Sequence, residues 1–149
     1  MADPGFEYGK DGPRVIVVGV DLSRTGLRAA AFAAGLARRG GARLVAVHVE
    51  GHPAMVPPIA AAAAQQAHSD ITSELRRLFN AYDAEQEPQA GATFLVRQGD
   101  PAGELMRVAE EYAADAVVVG ASEAPGHRVM GSAAVRLVRA GRWPVTVVP

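Results

Sequence analysis

Five short runs of apolar and β-branched residues recur along the chain, each bounded by glycine, proline or charged residues. Runs of this length and composition are typical of strands in the interior of a sheet. In chain order they are RVIVVGV (14–20), ARLVAVHVE (42–50), ATFLVRQ (92–98), DAVVVG (115–120) and PVTVV (144–148). The fourth run is continuously apolar after its aspartate, which predicts a strand that is covered on both faces.

The segment after the first run has the three- and four-residue apolar spacing of an amphipathic helix. Ser23 is a candidate N-cap for this helix, and the pair Gly40-Gly41 predicts its end. The predicted buried stripe consists of Leu27, Ala30, Ala31, Ala34 and Ala37.

A longer helix is predicted after the turn-rich segment GHPAMVPP (51–58), where adjacent prolines disfavour both helix and sheet ladder. The alanine-rich stretch 59–70 is a good helix former. The predicted buried face of this helix consists of Ile71, Leu75, Leu78, Phe79 and Tyr82.

Two further helices are marked by their first residues. Asp100 is a candidate N-cap, and Pro101 follows at the first helical position, where a missing N–H is tolerated. Ser132 is a candidate N-cap for a last helix that ends at Gly141. The predicted buried stripe of the earlier helix consists of Leu105, Val108, Ala109 and Tyr112.

The regular alternation of strand and helix predicts an α/β fold. It implies a five-stranded parallel sheet with right-handed crossovers and helices on both faces, for which we predict the strand order 3-2-1-4-5. Ligands of such sheets bind at the carboxyl ends of the strands where the order reverses, here between strands one and four. We expect a flexible leader at 1–13 and a single domain at 14–149.

Composition excludes several classes of function. With 149 residues, 49% of them hydrophobic, the chain has the size of one domain with a proper core. A formal net charge of -1 gives no large basic field for nucleic acid or an anionic membrane. The absence of cysteine excludes disulfides, thiolate metal sites and cysteine catalysis. No signal peptide or spanning segment is evident, so a cytoplasmic location is expected.

Several catalytic and cofactor motifs are missing. The first strand-helix turn lacks G-x-G-x-x-G, which argues against a dinucleotide site, and no P-loop motif occurs. Lys10 is the only lysine, so the core of the fold offers no Schiff base. No G-x-S-x-G elbow occurs, which argues against a serine hydrolase. His48 and His52 are four residues apart, but they lie on a strand end and in a turn rather than on one helix face, which argues against a metal site. We expect His48 to lie at the edge of the core.

Candidate chemistry remains at the predicted switch point. Asp21 ends strand one, where it can bind a base or ribose, hold a metal or cap the next turn; all three roles stay open. In the loop GASEAPGHRVMGS (120–132), glycines permit close backbone approach and the following helix start favours an anion. Arg128 could neutralise a phosphate. Glu123 would repel one unless it points away or a Mg²⁺ ion bridges the two.

The combined pattern resembles the universal stress protein family over residues 14–149. The stretches that carry the resemblance are VIVVGVDLS (15–23), LVAVHVE (44–50), GDPAGELMRVAEEYAADAVVVGAS (99–122) and GSAAVRLVRAGRWPVTVV (131–148). It implies a Rossmann-like fold of the adenine nucleotide alpha hydrolase-like type. In ATP-binding members it also implies the loop pattern G-x2-G-x9-G-[ST], with an Asp ending strand one and a Val ending strand two. The corresponding residues and their neighbours here are Val20, Asp21, Val49, Gly120, Ala121, Gly131 and Ser132.

The chain departs from that pattern in the loop. Glu123 stands at the second glycine, and the stretch APGHRVM (124–130) is two residues short. Gly19 replaces a proline that many members have. These changes either abolish ATP binding or reshape the site around Gly126, His127 and Arg128.

Two functions follow from the resemblance. The first is a stress-response module that binds ATP, with Mg²⁺, or a related adenine nucleotide as a regulatory ligand. The alternative is an interaction protein without nucleotide that acts as a homodimer paired through the last strand, PVTVV. Slow ATP hydrolysis with His127 as the base is the least supported function, and no catalytic residue is assigned.

Overall fold

The computed structural model describes residues 12–51, 57–86, 90–123 and 131–149. Within them, five parallel strands form one sheet in the order β3-β2-β1-β4-β5, which confirms the predicted fold class. The strands are β1 (Val15–Gly19), β2 (Arg43–Glu50), β3 (Ala92–Gln98), β4 (Ala116–Gly120) and β5 (Val145–Val148). β1 lies at the centre, where Ile16 is aligned with Leu44 on β2 and with Ala116 on β4. The order reverses between β1 and β4, so the carboxyl ends of these two strands flank the expected ligand position.

Two apolar clusters cover the two faces of the sheet. Alternate β1 residues divide between them, since Ile16 and Val18 belong to one cluster and Val17 to the other. The first cluster is completed by helices α1 (Arg24–Gly40) and α2 (Pro58–Ala84), and the second by α3 (Pro101–Glu111) and α4 (Ser132–Ala140). Val117, Val118 and Val119 of β4 are all buried, as expected for a strand that is covered on both faces.

Helix α1 has the predicted ends but a different buried face. The Ser23 side chain accepts a hydrogen bond from the backbone N–H of Gly26, and Gly41 ends the helix with φ 65°. The buried residues are Thr25, Gly26, Ala29, Ala33 and Ala37. Ala37 is buried as predicted, and Ala30 and Ala34 are half-buried and pack against the first cluster. Leu27 and Ala31 are exposed, so their assignment to the buried stripe is wrong. Because alanine occupies so many positions, apolar spacing does not define one face here, and the smallest residues face the sheet instead.

Helix α2 begins at Pro58, inside the segment that we predict to be a turn, because proline is compatible with a first helical position. Leu75 and Phe79 are buried as predicted, and Ile71 and Tyr82 pack against the first cluster. Leu78 is 40% exposed, so its assignment to the buried face is wrong. No described helix is both long and apolar enough to cross a bilayer.

The starts of α3 and α4 differ in how they are capped. Asp100 is the N-cap of α3, where its carboxylate accepts a hydrogen bond of 2.9 Å from the Gly103 N–H, as predicted. The N-cap of α4 is Gly131 rather than Ser132, which is the exposed first residue of the helix. The prediction of Ser132 as N-cap is wrong because the chain already enters the helix at Gly131.

Candidate functional site

A cavity of about 350 Å³ lies at the carboxyl ends of β1, β2 and β4, where the strand order reverses. The first turns of α1 and α4 border it on opposite sides of the switch point. The structure brings together seven of the predicted site residues in its lining, namely Val20, Asp21, Val49, Gly120, Ala121, Gly131 and Ser132. The other three, Gly126, His127 and Arg128, lie outside the described residues.

The end of β4 lies directly against the start of α1. A Cβ atom on Gly120 would lie 2.6 Å from the Thr25 carbonyl carbon and 2.8 Å from the Gly26 nitrogen. The Thr25 hydroxyl donates a buried hydrogen bond of 2.7 Å to the carbonyl oxygen of Ala121. Gly120 is therefore required for packing against α1. Thr25 and Gly26 were not singled out from the sequence, although a threonine-glycine pair in the first turn of a helix is a visible departure from good helix formers.

Asp21 has a local role in this arrangement. Its Oδ1 atom accepts a hydrogen bond of 2.9 Å from the Ser23 N–H and a second from the Ser23 hydroxyl. A Cβ atom on Gly26 would lie 2.1 Å from the same oxygen, so a side chain at this position would displace the carboxylate from the turn. Of the three roles considered for Asp21, the structure shows turn capping. Three-residue groups of potential metal ligands do not occur among the described residues.

Glu123 points towards the start of α1. Its Oε1 atom accepts a hydrogen bond of 3.3 Å from the Thr25 N–H and lies 3.8 Å from Arg24 Nε. The carboxylate thus occupies the positive end of the α1 dipole, where a negative charge is stabilised. The side chain remains 45% exposed and lines the cavity. Its charge is therefore displaced from α4 without leaving the site.

His48 holds the end of β1. It is only 8% exposed, and its Nδ1 atom lies 2.9 Å from the Val20 carbonyl oxygen. Since a carbonyl oxygen only accepts, Nδ1 carries the hydrogen. The Val20 N–H in turn donates to the Val47 carbonyl oxygen at 2.9 Å. Both backbone groups of Val20 are thus bonded to β2, and the expectation that His48 lies at the core edge is confirmed.

The start of α4 borders the cavity. Within the described residues, neither a side-chain cap nor an acidic residue in the first turn accompanies Gly131. A Cβ atom on Gly131 would lie 3.1 Å from the Ser122 Cβ atom, so the helix start and the loop after β4 are in close contact. One turn further along, Arg136 forms a 2.5 Å hydrogen bond to Asp100 across the α3–α4 contact. Backbone N–H groups at such a helix start favour an anion.

Residues 13–149 match the model of the universal stress protein family. The chain belongs to this family. No curated protein sequence matches this universal stress protein at a significant level.

Solved structures of universal stress proteins share the fold. UspA from Lactobacillus plantarum is 24% identical, with a TM-score of 0.71, over 91% of this chain and 97% of that chain. A universal stress protein in complex with cAMP is 26% identical, with a TM-score of 0.61, over 93% of this chain and 98% of that chain. The protein from Archaeoglobus fulgidus in complex with dAMP is 27% identical, with a TM-score of 0.57, over 90% and 96%.

Proposed function

We propose that this universal stress protein binds an adenine nucleotide as a regulatory ligand in a stress response. The observation that carries the proposal is the cavity between β1 and β4, which is bordered by the start of α4, where no described side chain serves as a cap. Helix starts of this kind attract phosphate groups through their N–H groups and their dipole. Support comes from the two related structures that hold cAMP and dAMP.

The lining suggests how such a ligand is held. A phosphate group binds at Gly131 and Ser132, and the base lies against the apolar side chains of Val20 and Val49 at the opposite end. Asp21 stays within reach of the ribose while it caps the turn before α1. ATP with Mg²⁺ belongs to the same ligand class as the smaller adenine nucleotides.

Identification of the small molecules that co-purify with the protein tests the proposal. Freshly purified protein is denatured, and the released small molecules are identified by mass spectrometry, followed by isothermal titration with adenosine, AMP and ATP. We expect a co-purified adenine nucleotide or a saturable heat. Gly131→Val should weaken binding by about tenfold or more, because its side chain blocks approach to the helix start. The proposal fails if no nucleotide is recovered and none produces saturable heat.

The edge of the sheet favours a second function, that of an interaction protein that acts as a homodimer. β5 is an edge strand. The carbonyl oxygen of Val148, and that of Pro144 just before the strand, accept hydrogen bonds from the N–H groups of Ala121 and Val117. Successive strand residues direct their backbone groups to opposite sides, so the N–H of Val147 faces away from β4. Such an edge can pair with a second copy, and we propose a homodimer formed through β5.

The oligomeric state tests this second proposal. Light scattering should report a dimer for the natural chain, and Val147→Pro should weaken the dimer because it removes an outward-facing N–H. Val147→Thr keeps that N–H and serves as the control. Only monomer at working concentrations, or a dimer unaffected by the proline, would remove β5 pairing as the mechanism.

A further inference from the structure

The cavity has two helix starts on its border, and they differ in what they can offer an anion. At α1, the Gly26 N–H donates to the Ser23 hydroxyl oxygen and the Thr25 N–H donates to Glu123. The positive end of α1 is therefore occupied by groups of the chain itself. At α4, no described side chain serves as a cap.

The backbone of Glu123 lies close to the start of α4, while its carboxylate points towards α1. Its neighbour Ser122 would contact a Cβ atom on Gly131 at 3.1 Å, and adjacent Cα atoms are about 3.8 Å apart. Both Glu123 and Gly131 line the cavity. A phosphate chain that extends from the start of α4 towards α1 therefore passes close to a carboxylate.

The nearby positive charge compensates for this carboxylate only in part. Arg24 lies 3.8 Å from Glu123, but its side chain is 77% exposed. Water and salt screen an exposed guanidinium more strongly than a charge inside a cleft. Among the described lining residues, the charged side chains are Asp21 and Glu123, both acidic.

Resting on the proposed function, we infer that Glu123 makes the cavity selective for nucleotides with a single phosphate group over di- and triphosphates. One phosphate is accommodated at the start of α4. Each additional phosphate brings further negative charge towards Glu123 and finds the α1 start already occupied.

The test separates the charge of Glu123 from its hydrogen bond. Glu123→Gln keeps an oxygen that accepts from the Thr25 N–H but removes the negative charge. Glu74→Gln is the matched control, because Glu74 lies on α2, pairs with Arg77 and is not part of the cavity lining. AMP and ATP are titrated calorimetrically into the full chain and both variants, at one ionic strength, with and without Mg²⁺. Thermal unfolding confirms that all three proteins are folded.

We expect the natural chain to bind AMP at least tenfold more tightly than ATP, and Glu123→Gln to reduce that ratio by about tenfold through a gain in ATP affinity. Glu74→Gln should leave the ratio unchanged. A preference of the natural chain for ATP, or a ratio that Glu123→Gln does not alter, would overturn the inference and leave nucleotide binding intact. If neither AMP nor ATP binds to any of the three proteins, the proposed function is overturned together with this inference.

Discussion

The Thr25 hydroxyl and the Ala121 carbonyl oxygen form a buried hydrogen bond of 2.7 Å between residues 96 positions apart in the chain. This bond joins the first turn of α1 to the loop that leaves β4. The same threonine donates its backbone N–H to Glu123. The geometry of one wall of the cavity therefore depends on Thr25.

Thr25→Val should destabilise the fold by about 1–3 kcal/mol, because it keeps the shape of the side chain but leaves the buried Ala121 carbonyl without its partner. Thr25→Ser keeps the hydroxyl and should lose less. Urea unfolding followed by circular dichroism measures both. Equal stability of the valine variant and the natural chain would show that the bond is not important.

Gly120→Ala should destabilise the protein by about 1–3 kcal/mol, since its Cβ atom would overlap the backbone of Thr25 and Gly26. Gly40→Ala is the control, because nothing lies within 4 Å of its added Cβ atom and alanine favours a helix. Denaturant midpoints compare the two variants. A loss of the same size in both would contradict a specific contact at Gly120.

His48→Leu should lower the free energy of unfolding by about 1–3 kcal/mol, because the buried Val20 carbonyl oxygen loses its donor. The same change should weaken any nucleotide binding, since the end of β1 is no longer held in place. Chemical unfolding measures the change in stability, and calorimetric titration measures the change in binding. An unchanged stability would mean that water replaces the imidazole at little cost.

Stability should depend on pH through Asp100. Two hydrogen bonds lower the pKa of Asp100 below its ordinary value of 3.8. The larger effect comes from Arg136 and the smaller from the Gly103 N–H. A pKa that is lower in the folded state adds stability above the unfolded value, and this stability is lost as pH falls through the folded pKa. The contribution should therefore be complete near neutral pH and decline below about 3.8.

Asp100→Asn isolates this effect, since asparagine is still a good N-cap. The stability difference between the natural chain and the variant, measured by urea unfolding from pH 7 to pH 3, should shrink at the acidic end. A difference that stays constant over this range would rule out the carboxylate charge as its source.

Sequence patterns predicted the sheet well because each strand is an apolar, β-branched run that few other structures accommodate. Strand β3 has the predicted limits, Ala92 and Gln98, and the five strands have the predicted order. The buried face of α1 could not be predicted in this way. Its many alanines and glycines carry little hydrophobic contrast, so the pattern does not distinguish the buried positions from the exposed ones.

The site residues also include some that the sequence pattern could place and some that it could not. Asp21, Gly120 and Gly131 could be placed near one another, because they follow strands whose carboxyl ends meet at one edge. The direction of Glu123 could not be predicted, since it depends on the Thr25 N–H, 98 positions away. Thr25 itself was missed for the same reason: its partners are defined only after the sheet has formed.

Helix α1 touches both the cavity and the last residue of the chain. Thr25 at its start is bonded to the loop after β4, and Arg28, one turn later, donates a hydrogen bond of 3.1 Å to the Pro149 carbonyl oxygen beyond β5. The first turn of α1 therefore spans the distance between one wall of the cavity and the edge strand of the sheet, and the two hydrogen bonds fasten it at both places.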